Sequence, residues 1–176
     1  MQMEDKLHTC CFIGHRTIIE TPALIARLRN TIQMLIEEKG VHTFLFGSKS
    51  EFNSLCKSVV TELKETYPAI KRIYVRSAYP QISDDYRAYL LESYEDTYFP
   101  TAIEKAGKSA YVARNRAMID AAGFCVVYYD ENYLPPCRKA AKKDCRVYQP
   151  KSGTQLAYRY AEKNGLMIFN VYESLD

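Results

Sequence analysis

The chain is expected to be an α/β protein: a Rossmann-like parallel sheet with helices on both faces, built as a single domain. Three observations predict this. Short apolar runs alternate with segments of helical periodicity along the chain, the pattern of a parallel sheet. Most of these runs end in turn residues that lead towards a helix start. The length of 176 residues fits one domain and leaves little room for two.

Leu7 to Ile13 is an apolar run that ends at Gly14-His15-Arg16, and it reads as a buried strand. Thr21-Pro22 opens a helix, with threonine as cap and proline in the first turn. Leu24, Ile25, Leu28, Ile32, Leu35 and Ile36 form its apolar stripe, and Gly40 stops it. Val41 to Phe46 is a second strand, ended by Gly47-Ser48. Phe52, Leu55, Cys56, Val59, Val60 and Leu63 then repeat at helical spacing, with Ser50 as cap and Pro68 as terminator. Ile70 to Val75 is a third strand.

A short helix is expected near 84 to 95, in a segment rich in tyrosine and acids. Ser109 to Ala122 reads as a helix and Phe124 to Tyr128 as a fourth strand. A polar loop spans Asp130 to Lys151. Ser152 caps a helix to Asn164, with Gln155 completing a capping box. Gly165 stops it, and Leu166 to Asn170 is the last strand.

Apolar residues make up 47% of the chain, enough for a core, so disorder is excluded as the default state. The formal charge of +3 is too mild to argue for nucleic acid. It conceals a basic run, Arg138 to Lys151, and an acidic one, Asp84 to Asp96, which are expected to pair across a cleft or a subunit boundary. The N-terminus lacks the apolar region of a signal peptide, and no run approaches the roughly 20 residues of a membrane span. A cytoplasmic protein is expected. Cys10, Cys11, Cys56 and Cys125 fall in apolar patterns and read as core. Cys137 and Cys145 fall in the polar loop. No C-x-x-C occurs, so neither a zinc site nor a disulfide frame is expected.

In parallel sheets ligands bind beyond the carboxyl ends of the strands. That rule selects Gly14-His15-Arg16, Gly47-Ser48-Lys49-Ser50, the Arg76 to Asp85 stretch, and the loop that leads to Ser152-Gly153-Thr154. Glycine permits close approach of the backbone to a ligand, and arginine grips phosphate in bidentate fashion. Ser152 to Thr154 would leave helix amides free for an anion. Each of these segments also fits a plain turn or a capped helix start. On the helix from Ser109, Asn115 falls in the stripe of Val112, Ile119 and Ala122, while Arg114 turns to the side of Tyr111 and Met118. Neither G-x-G-x-x-G nor a Walker A pattern is present. Asp84-Asp85 and Asp130-Glu131 are the paired carboxylates near strand ends, and both also read as turn residues.

Four pieces occur in one order and spacing: Cys10-Cys-Phe-Ile-Gly-His-Arg16, Thr43-Phe-Leu-Phe-Gly47, Arg114-Asn-Arg-Ala-Met118 and Ser152-Gly-Thr154. Together they resemble the SLOG superfamily, in its YpsA-like branch of uncharacterised bacterial proteins. The superfamily includes the Lonely Guy and DprA/Smf proteins. The resemblance implies a pocket for a nucleotide or ADP-ribose-like ligand at the strand ends, with no required cofactor, and a homodimer. It implies ligand contacts from Gly14, His15, Arg16, Gly47, Ser48, Arg114, Asn115 and Ser152 to Thr154. It would make Arg114 catalytic if the protein is an enzyme. The Lonely Guy motif, however, ends in a catalytic glutamate where this chain has Ala157. Alanine cannot act as acid or base. A non-catalytic sensor is therefore the leading expectation. A nucleoside-monophosphate N-glycosidase is the alternative, with Asp84, Asp85 or Asp130 replacing the glutamate. Single-stranded DNA contact through Arg138 to Lys151 is a third.

Overall fold

The computed structural model describes residues 3–47, 49–134 and 152–174. Ser48, Cys137, Cys145 and the basic run from Arg138 to Lys151 lie outside the described residues. Six strands form one parallel sheet. They are β1 (Thr9–Gly14), β2 (Thr43–Phe46), β3 (Lys71–Val75), β4 (Asp96–Tyr98), β5 (Phe124–Tyr128) and β6 (Met167–Asn170). Their order is β4-β3-β2-β1-β5-β6. The chain thus steps outward from β1 to β4 and returns to the opposite side of β1 as β5. The strand order reverses between β1 and β5, where such sheets open a crevice.

The pleat of β1 sorts its side chains between two cores. Cys10 and Phe12 join a cluster with α2 (Pro22–Lys39) and α3 (Glu51–Thr66). Cys11 and Ile13 join another with α5 (Ala110–Asp120) and α6 (Gly153–Lys163). Helices therefore cover both faces, as the strand-helix alternation predicts. α1 (Met3–Leu7) leads into β1, and α4 (Asp84–Leu91) connects β3 to β4. Cys10, Cys11, Cys56 and Cys125 are all buried free thiols.

Local signals set the helix ends. Thr21 caps α2 by accepting from Leu24 N–H at 3.1 Å, with Pro22 in the first turn. Gly40 ends it with φ 66°, a conformation that favours glycine. Ser50 and Ser152 likewise cap α3 and α6.

One expectation is corrected. The helix expected near 84 to 95 stops at Leu91, and β4 follows it as a fourth strand. This edge strand is three residues long and polar, and β3 specifies it by backbone pairing. The acids of that segment also find close partners. Glu95 pairs with Arg72 at 2.7 Å and Lys64 at 3.6 Å, and Asp96 pairs with Arg87 at 3.3 Å. Among the described residues no helix is long and apolar enough to cross a membrane.

Candidate functional site

The carboxyl end of β2 meets the side of α5. Gly47 lies directly against Arg114: a Cβ on Gly47 would fall within 2.8 Å of the Arg114 side chain and Met118 Sδ. Asn53 fixes this turn. Its Oδ1 accepts from Gly47 N–H at 3.3 Å, and its Nδ2 donates to Phe12 O at 3.4 Å. One buried amide thus ties the ends of β1 and β2 together.

The orientation of α5 corrects the expected stripe. Arg114, Met118 and Ile119 form its buried row, and Asn115 is only half-buried. Arg114 is 4% exposed. Its Nε donates to Asn115 Oδ1 at 3.1 Å, and its guanidinium lies over the Tyr111 ring at 5.7 Å. Among the described residues no carboxylate pairs with it. Burial pushes its pKa down to about 10, against the pull of the Tyr74 and Tyr111 phenols. It therefore remains a cation at neutral pH. Holding that charge out of water costs about 3 kcal/mol at 1.36 kcal/mol per tenfold change in acidity. A buried cation without a carboxylate partner among the described residues has unspent capacity for charge-assisted hydrogen bonds.

His15 occupies the point where strand order reverses, and it is 2% exposed. Asp130 N–H donates to its Nε2 at 2.9 Å, across 115 positions of sequence. That bond assigns the proton of the neutral ring to Nδ1. Tyr133 stacks on the imidazole at 4.0 Å, and Tyr128 and Tyr129 flank it. Burial holds its pKa below the ordinary 6.5, while the Asp130 charge pulls the other way. At neutral pH His15 is therefore an uncharged group. The neighbouring Arg16 is exposed. Its carbonyl accepts from Glu51 N–H at 2.9 Å, which pins the turn to the start of α3.

The pKa shift has a measurable consequence. A histidine held neutral contributes stability above its unfolded pKa of 6.5, and this is lost as pH falls towards its lower native value. Thermal melts from about pH 8 down to pH 5 are expected to show stability falling below 6.5. His15→Asn is expected to flatten that part of the profile. An unchanged profile in the variant would assign the acid sensitivity elsewhere.

The loop after β5 is clamped from β6. Asn170 accepts from Tyr129 N–H at 3.1 Å and donates to Tyr129 O at 2.9 Å, so its side chain imitates one more step of strand pairing. At the start of α6, Ser152 Oγ accepts from Gln155 N–H at 3.0 Å. No described hydrogen bond occupies the amides of Gly153 and Thr154, the ordinary state of a helix N-terminus. Ala157 lies one turn further along, 4% exposed and packed into the core.

At the end of β3, Arg76 is 9% exposed and donates through Nη1 to Tyr79 O and Pro80 O. Tyr79 has φ 58°, the only positive φ outside glycine among the described residues. Arg76 holds this strained turn in place.

The structure thus brings Gly14, His15, Gly47, Arg114 and the start of α6 to the carboxyl edge of the sheet. Asn53 and Asn170 are additional positioning residues that the sequence reading missed. Asn53 had a visible signal: it is a polar residue beside Phe52 and three before Cys56, in a buried row. Asn170 had none, because its partner, Tyr129, lies in the loop after β5, 41 positions away. Two grooves flank the end of β5. One of about 350 Å³ is lined by Tyr129, Asp130, Tyr158 and Asn170, among others. The other, about 280 Å³, includes Ile19, Leu24, Tyr128 and Tyr172. Arg114 lines neither, and lies at the β2 end. Among the described residues no group of three His, Cys, Asp or Glu is placed to hold a metal ion.

Comparison with protein-family models matches none of them, and comparison with curated proteins gives no match.

Proposed function

We propose that the protein binds a nucleotide or an ADP-ribose-like ligand across the carboxyl ends of β2, β1 and β5, and works as a cytoplasmic sensor or regulator without turning the ligand over. The observation that carries this is Arg114, a buried cation without a carboxylate partner among the described residues. A phosphate oxygen would supply the missing counter-charge through charge-assisted bonds. The amides of Gly153 and Thr154 add a second place for an anion. From the β2 end to the β5 end is two strand spacings, about 10 Å. That distance suits a phosphorylated sugar or nucleotide better than a bare phosphate. The resemblance to SLOG proteins supports the same ligand class.

The carboxylates weigh against the glycosidase alternative. Ala157 sits in the packed core, with no carboxylate at that position. Asp84 and Asp85 are exposed at the start of α4. Asp130 is engaged in its own turn, accepting from Asn132 N–H at 2.9 Å.

Thermal unfolding with AMP, ADP, ADP-ribose, NAD and cyclic nucleotides at millimolar concentration tests the proposal. At 100 times Kd a ligand stabilises by about 2.7 kcal/mol, which raises Tm by about 5–10 °C here. If none of these compounds moves Tm, the ligand class is wrong.

A further inference from the structure

Two buried polar atoms beside the β1–β5 crevice have no hydrogen-bond partner among the described residues: His15 Nδ1 and Tyr129 Oη. They belong to neighbouring rings with centroids 5.9 Å apart. Each ring is fixed independently. His15 is held by the Asp130 N–H bond and the Tyr133 stack. Tyr129 is held by the Asn170 clamp on its backbone and by Tyr158, stacked at 4.5 Å. Tyr129 also lines the groove of about 350 Å³. Buried donors are nearly always satisfied in native proteins, and two rigid orphans side by side call for a partner.

The chemistry of the two groups limits what that partner is. The neutral imidazole offers one N–H, and the phenol can donate or accept. Neither is charged, and the buried cation, Arg114, lies at the β2 end. We infer that His15 Nδ1 and Tyr129 Oη form a neutral recognition pair that takes an uncharged oxygen, a hydroxyl or a carbonyl, of the ligand whose anionic end lies on Arg114. This deepens the ligand class proposed above and rests on it. The site is then bipolar, with charge read at the β2 end and the uncharged portion read at the β5 end.

Tyr129→Phe removes one orphan without changing ring size. Its effect separates recognition from structure, because the two predict opposite patterns. In the ligand-free protein the substitution relieves an unsatisfied hydroxyl, so Tm is expected to rise by about 2–4 °C. In titrations with ribose 5-phosphate and AMP, affinity is expected to fall roughly tenfold. With inorganic phosphate it is expected to stay unchanged, because that probe has only an anionic end and does not engage the His15–Tyr129 pair. A loss seen with both ribose 5-phosphate and AMP assigns the oxygen to the sugar; a loss confined to AMP, whose base carries nitrogen and no oxygen, overturns the oxygen assignment. A second measurement is the imidazole ¹⁵N spectrum, in which the His15 Nδ1–H signal is expected to shift on adding the affected probe. Wild-type binding that Tyr129→Phe leaves intact, or weakens equally for inorganic phosphate, overturns this inference alone. Absence of wild-type binding to both ribose 5-phosphate and AMP overturns the ligand class and this inference with it.

Discussion

Arg114→Met is expected to abolish nucleotide binding while making the ligand-free protein more stable. The two effects have one cause. Arg114 is 4% exposed, and no acid among the described residues pairs with it. Its charge therefore burdens the free fold and serves the bound state. Methionine has comparable length and adapts to irregular packing, so it can lie along Gly47 and Met118 as the arginine stem does. Replacing a buried charge with a hydrophobe of similar volume is expected to stabilise by about 1–3 kcal/mol. Calorimetric titration should show affinity for AMP or ADP falling by about 100-fold or more, the loss of two charge-assisted hydrogen bonds. A variant that loses stability and keeps its affinity would make Arg114 a structural strut and remove the basis of the proposed site.

The same arginine shows where sequence reasoning stops. Hydrophobic periodicity places β5 at Phe124–Tyr128 to the residue, because a continuous apolar run is bounded by Gly123 and a polar loop. Cap chemistry places α2 equally well through Thr21, Pro22 and Gly40. On α5 the method turns the helix only partly the right way. Of Val112, Asn115, Ile119 and Ala122, the fold buries Ile119 and Ala122, and it adds Arg114 and Met118 in place of Val112 and Asn115. A count of apolar positions scores arginine as solvated, and here its burial is the main feature of the site. β4 is invisible for a different reason. Asp96, Thr97 and Tyr98 carry no period, and their strand exists through pairing with Ile73, Tyr74 and Val75. The state of His15 is likewise non-local. Its motif is legible in Gly14-His15-Arg16, but its tautomer depends on the Asp130 N–H 115 positions away. Glycines, caps and apolar runs are local properties and can be read. Which polar side chain is left without a partner is a property of the assembled sheet.

Gly14→Ala is expected to be the most damaging small substitution at this edge of the sheet. Backbone torsion is not the reason, since Gly14 has no positive φ. The reason is contact: a Cβ there would lie within 2.7 Å of three Phe52 atoms, one of them Phe52 Cβ. Phe52 is completely buried in the first turn of α3, so it has nowhere to retreat. Any shift of Phe52 also drags the adjacent Asn53, which ties Gly47 N–H to Phe12 O. Overpacking at such a site is expected to cost about 2–4 kcal/mol, or on the order of 10 °C in Tm. Gly153→Ala is the control. A Cβ there meets nothing within 4 Å, so its expected change is small, with alanine favoured in the unfolded-state balance by about 0.4–1 kcal/mol. Urea unfolding of the two variants beside wild type checks the contrast. If Gly14→Ala unfolds at the wild-type midpoint, Phe52 is free to move. The close packing of β1 on α3 would then not be what holds Asn53 and the Gly47 turn in register.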